Sequence, residues 1–114
     1  MKKTKKDPRV YLEDILSAIE RIQKYTSIDK EKFLHDGLVQ DATIRQISII
    51  GEASAKVPIA IKNQHASIPW KKIVGMRNVV VHDYSEVSLL TVWTVIERDL
   101  PLLKTEVQNI LNKL

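Results

Sequence analysis

The sequence predicts an all-α fold, an antiparallel bundle of four to five helices with the last one bent at a proline. Apolar residues recur at helical spacing along nearly the whole chain, only three glycines and four prolines punctuate 114 residues, and strand signals are nearly absent. Hydrophobic residues make up 44% and charged residues 28%, the balance of one ordinary globular domain. Folding at this length buries roughly two-thirds of the unfolded surface. With only 5% aromatic residues, Leu, Ile and Val must fill the core, and Trp70 and Trp93 stand out.

Asp7-Pro8 sets a capping side chain before a proline at the first helical position, and Val10, Ile15, Leu16, Ile19 and Ile22 mark a stripe running to about Tyr25. Ser27-Ile28-Asp29 restarts the chain, and Lys30 to Asp36 reads as a short helix stopped by Gly37. From Leu38 to Val57 the positions Val39, Ile44, Ile47, Ile50, Ala53 and Val57 keep helical spacing until Pro58. Gly51 lies inside this helix, where glycine costs about 1 kcal/mol against alanine, so it reads as a site of close helix approach. Residues 58 to 68 read as a connection. Ser67-Ile68-Pro69-Trp70 starts a helix that passes Ile73, Val74 and Met76 and should end near Asp83. Glu86 to Leu114 is one helical pattern interrupted by Pro101, where Asp99 can cap a fresh turn and a bend is expected.

The formal charge is +4, and Lys2, Lys3, Lys5 and Lys6 account for all of it, so residues 7–114 sum to zero. The basic balance is a tail effect and does not by itself indicate a nucleic-acid groove. Residues 1–6 are expected to form a disordered tail and 7–114 a single helical domain. Such a tail either attracts phosphates without specificity or simply solubilises the chain. Cysteine is absent, which excludes disulfides, thiolate zinc sites and a cysteine nucleophile. No apolar run approaches a membrane span and none follows the basic start as in a signal peptide, so no membrane partner and a cytoplasmic setting are expected. His35, His65 and His82 are not in ligand spacing, so neither a catalytic metal nor another cofactor is expected.

Polar residues that break an apolar helix concentrate in one stretch, Met76-Arg77-Asn78-Val79-Val80-Val81-His82-Asp83-Tyr84. At about 100° per residue Asn78 sits beneath His82, the Arg77 side chain can lean over Val81 towards them, and Tyr84 completes a patch, whereas Asp83 falls on the apolar side. An Arg and a His in one cleft suit phosphodiester cleavage, because imidazole moves protons near neutral pH and guanidinium binds phosphate bidentately. RNA carries its own nucleophile, the 2′-hydroxyl, so acid/base help and charge stabilisation suffice without a metal. The same residues also suit a plain helix end, with His82 on the macrodipole, Arg77 paired to a carboxylate and Tyr84 packing a loop. Periodicity leaves both readings open. Glu52 and Arg45, seven residues apart on one line of the second long helix, could reach the motif helix, Glu52 more as a structural partner than as a catalytic group. Trp70 and Trp93 lie within apolar helical patterns and read as core or dimer contacts rather than RNA-stacking platforms.

Arg77, four residues, His82, one residue and Tyr84 form the R-x4-H-x-Y pattern, and the chain resembles the HepT-like toxins of the HEPN superfamily. The resemblance extends to Ile49-Ile50-Gly51-Glu52-Ala53, to Trp70 through Asn78 and to Trp93 through Asp99-Leu100-Pro101. It implies a helical bundle that dimerises so that two Arg/His sets face one cleft, with metal-independent endoribonuclease activity used as the toxin of a type VII-like toxin–antitoxin pair. It also implies an antitoxin partner, a minimal nucleotidyltransferase of the MntA type, which transfers AMP from ATP onto the motif tyrosine, here Tyr84. Carried over by position, Arg77 binds phosphate and offsets transition-state charge, His82 transfers protons, Asn78 positions them, Asp83 and Glu52 support, and Tyr84 regulates. The rival reading is a non-catalytic helical module whose patch binds a nucleotide or a partner nucleotidyltransferase.

Overall fold

A computed structural model describes residues 7–79 and 86–114. The described elements are α1 (Pro8–Tyr25), α2 (Lys30–Leu34), α3 (Gly37–Lys56), α4 (Ile59–Gln64), α5 (Trp70–Val79), α6 (Glu86–Thr94), a π-helical turn (Val95–Asp99) and α7 (Leu100–Lys113). Among the described residues there is no strand, and the all-α expectation holds. The Lys2 to Lys6 tail and the end of the motif helix near Asp83 lie outside the described residues.

Helix α1 follows its sequence signals closely. The Asp7 side chain accepts the Arg9 amide at 2.9 Å, Pro8 occupies the first turn, and Leu12, Ile15, Ala18, Ile19 and Ile22 form the buried stripe. The Thr26 hydroxyl closes the far end by donating to the Ile22 carbonyl at 2.7 Å. α3 packs against both α1 and α5, and α7 packs against α1. α2 tucks Phe33 inward against α3 and α6, where its ring meets Trp93 at 5.2 Å between centroids. The buried side chains form one cluster, built chiefly from Leu, Ile and Val as the composition requires.

Three local expectations are corrected. Gly37 does not stop α2; it is the first residue of α3, because the Asp36 side chain accepts the Val39 amide at 3.2 Å and caps the longer helix. The Gln40 side-chain amide then donates to the Phe33 carbonyl at 2.8 Å, tying the two helices together. Residues 58 to 68 are not only a connection, since Ile59–Gln64 form α4 behind Pro58, whose fixed φ suits a helix start. Asp99 does not cap a fresh turn. It has helical dihedrals and no capping hydrogen bond, and the chain passes from α6 to α7 through the π turn, with the Leu100 amide donating to the Val95 carbonyl. A proline ring crowds the carbonyl four residues back, so the wider turn accommodates Pro101 while Ile96, Leu100 and Leu103 stay buried. Asp36→Ala is expected to cost about 1 kcal/mol, read as a lower urea midpoint at unchanged slope.

Candidate active site

The first half of the motif arrives on α5. Trp70 fixes the start of this helix: it is buried, and its indole N–H donates to the His65 carbonyl at 3.1 Å. Ile73 and Met76 are also buried, which seats α5 on the bundle and carries Arg77 to its last turn.

Arg77 sits where α5 crosses α3, against Gly51. A Cβ added to Gly51 would lie 2.8 Å from the Arg77 Cβ, 3.1 Å from the Arg77 amide nitrogen and 3.2 Å from the Val74 carbonyl oxygen. Only a glycine permits this approach. The sequence marks Gly51 as a point of close packing; the structure supplies the partner, and the partner is the motif arginine. The Gly-Glu-Ala segment and the Arg-Asn pair are thus two parts of one locus.

The stub of Arg77 is fixed, yet the residue as a whole is exposed. Among the described residues it has no ion pair or hydrogen bond, so the carboxylate partner expected of a merely structural arginine is not found there. Glu52, next to Gly51, is exposed and likewise makes no ion pair with a described residue; Arg45, two turns earlier on α3, is exposed as well. Asn78 follows Arg77 on α5. His82, Asp83 and Tyr84 lie outside the described residues. Trp70 and Trp93 take core positions, Trp93 half-buried against Phe33.

An apolar cavity of about 250 Å³ lies on the other flank of α5, between it and α7, lined by Ile68, Ile73, Met76, Leu100 and Leu103. Lys72 and Asp99 pair across its rim at 3.5 Å, both partly exposed, so the pair contributes at most about 1 kcal/mol. No histidine or nucleophile pair lines this cavity, and Arg77 is not part of it. Among the described residues no group of three or more His, Cys, Asp or Glu could hold a metal, and no helix is long and apolar enough to cross a membrane.

The family model described as ribonuclease HepT-like matches residues 15–110. The chain is 39% identical over 111 residues to a Methanocaldococcus jannaschii protein named for a gamma-glutamylcyclotransferase and a candidate RNase, covering 96% of this chain and 50% of that protein. The chain therefore spans half the length of that relative. It is 38% identical over 109 residues to a candidate RNase of Caldanaerobacter subterraneus subsp. tengcongensis, covering 95% of this chain and 97% of the other. With a probable ribonuclease HepT of Thermococcus cleftensis the identity is 43% over 105 residues, covering 91% and 93%. No solved structure matches the chain. Matches of this extent, over a helical bundle that joins the Gly-Glu-Ala segment to the motif arginine, make this chain a member of the HepT-like ribonuclease family.

Proposed function

We propose that this chain is a metal-independent endoribonuclease that cuts RNA with Arg77 and His82 in a dimer cleft, and that it is the toxin of a type VII-like toxin–antitoxin pair. The observation that carries the reading is the state of Arg77. Its Cβ is fixed at the crossing with Gly51, while the residue is exposed and unpaired among the described residues. A guanidinium held at its base and free at its tip is prepared for an external phosphate.

In the proposed step the RNA 2′-oxygen forms a bond to the adjacent phosphorus as the bond to the 5′-oxygen breaks. One imidazole takes the 2′-hydroxyl proton, and a protonated imidazole gives a proton to the departing 5′-oxygen. A single His82 does not easily serve both ends at once, so a homodimer that brings two copies to one cleft fits the chemistry better than a monomer. Arg77 offsets the charge that builds on the phosphoryl oxygens.

Regulation follows from the same charge. The MntA-type nucleotidyltransferase antitoxin joins the Tyr84 oxygen to the α-phosphorus of ATP and releases pyrophosphate. The resulting phosphodiester places a negative charge and an adenosine beside Arg77 and His82, where it attracts the guanidinium that RNA would use and fills the entrance. The test starts from full-length protein shown by mass to be unmodified, mixed with total cellular RNA in EDTA. Cleavage is expected; it should stop as Tyr84 gains the mass of AMP from the transferase and ATP, and Tyr84→Phe should not be modified there. No cleavage of any RNA by clean, unmodified dimer would move Arg77 and His82 to partner recognition in a binding module.

A further inference from the structure

Although α3 packs against α1 and α5, one strip of it faces outward. At about 100° per residue, Leu38, Asp41, Arg45, Ile49, Glu52 and Lys56 all fall within about 40° of the Arg45 direction. Ile49 is half-buried and the other five are exposed. The buried residues of this helix, from Ile44 and Gly51 round to Gln46 and Ala53, occupy the rest of its circumference.

The charges on the strip have no partner within the fold. Asp41, Arg45, Glu52 and Lys56 make no ion pair with a described residue. That holds even though Asp41 and Arg45, and likewise Glu52 and Lys56, stand four apart in the order that favours pairing along one helix. Read along the strip the signs run acid, base, acid, base, and such a run is complementary to itself when reversed. The spacing is symmetric as well: Arg45 and Glu52 are equally far from the point between Ser48 and Ile49, and so are Asp41 and Lys56. Leu38, at one end, is 81% exposed, and Ile59, just past the other end, is 69% exposed.

We infer that this strip is the surface on which a second copy of the chain docks, the two α3 helices lying antiparallel about a two-fold axis that passes between Ser48 and Ile49. Arg45 then meets Glu52 of the second copy and Asp41 meets Lys56 of the second copy, each pair occurring twice. The two Ile49 side chains meet beside the axis, and Leu38 comes to the end of the opposite α3, next to the start of α4 and its exposed Ile59. The same operation completes the cleft. Gly51, which seats α5, lies about 120° round α3 from Arg45, on the Ser48 side. A two-fold axis perpendicular to both helices keeps that side common to the two copies, so both α5 helices stand on one side of the pair and their Arg77 residues flank one groove floored by α3. A single copy supplies one wall only. The inference deepens the ribonuclease reading by locating its dimer cleft, but association is measured without RNA.

The experiment is sedimentation equilibrium on the full chain, which is expected to be a dimer. Arg45→Glu sets acid against acid twice and should raise the dissociation constant by about tenfold or more, and Asp41→Lys should act likewise. The swap Arg45→Glu/Glu52→Arg should bring the constant back towards the native value. Because the chain has no cysteine, Ser48→Cys introduces a single thiol close to the axis, and it should oxidise to a covalent dimer, whereas Ser17→Cys on the exposed face of α1 should not. A native chain that stays monomeric overturns the inference and leaves the strip to an unlike partner. A dimer that ignores Arg45→Glu, or that gives no covalent product with Ser48→Cys, also overturns it, because another face would then be in use. A dimer that obeys the swap yet never cuts natural RNA sinks the nuclease reading and leaves the interface standing; cleavage by a protein whose association ignores the swap does the reverse.

Discussion

His82→Ala is expected to lower RNA cleavage by about 10²–10⁴-fold, the usual contribution of a positioned acid/base group. Arg77→Ala should lower it by about 10²–10³-fold, the usual loss of one preorganised charge-stabilising donor. The structure makes the second variant a clean one. Alanine keeps the Cβ that rests on Gly51, and what it removes is the exposed part of a residue unpaired among the described residues, so the melting temperature should barely move. Arg77→Lys keeps the charge but loses the two-pronged geometry, and should fall between native and alanine. Cleavage of total RNA in EDTA, with circular dichroism melts on the same samples, checks all three. A helix end held by ordinary capping would give the opposite pattern, with lower melting temperatures and full cleavage.

What the sequence made legible was local. Asp7-Pro8 and the stripe to Ile22 marked α1 because a cap, a proline and an apolar period agree there. Gly37 was ambiguous for a physical reason: a glycine beside an aspartate serves equally as the stop of one helix or the start of the next, and only the Asp36 hydrogen bond to Val39 decides. α4 escaped because none of its six residues is fully buried and it has no side-chain cap, leaving little period to read. At Asp99-Leu100-Pro101 a valid local signal lost to a tertiary one. Ile96, Leu100 and Leu103 are all buried, and keeping them so favours a continuous helix with a wide turn over a capped restart. The candidate site divides in the same way. The motif and its spacing stand in the sequence, as does the oddity of a glycine inside α3; that this glycine faces Arg77 is a contact between residues 26 positions apart, which no local period encodes.

That contact supports the other large expected effect. Gly51→Ala should stabilise an isolated α3 by about 1 kcal/mol on helix propensity. In the folded chain the added methyl would meet the Arg77 Cβ at 2.8 Å, more than half an ångström inside ordinary contact, which begins at 3.4 Å. Its other neighbours are the Arg77 amide and the Val74 carbonyl, main-chain atoms that cannot turn aside as the tip of a side chain could. The two helices must therefore separate or shift, and overpacking of this kind costs about 1–3 kcal/mol, enough to cancel or reverse the propensity gain. Displacing the base of Arg77 also moves its guanidinium, and about 1 Å of misplacement can cost 10²-fold in rate. Gly51→Ala is thus expected to lose cleavage out of proportion to stability, at a temperature where it is still folded, with Gly51→Val worse on both counts. Urea denaturation and cleavage rates measured on the same preparations check the pair. Native activity in a folded Gly51→Ala protein would mean that the crossing serves packing alone and that Arg77 is positioned by something else.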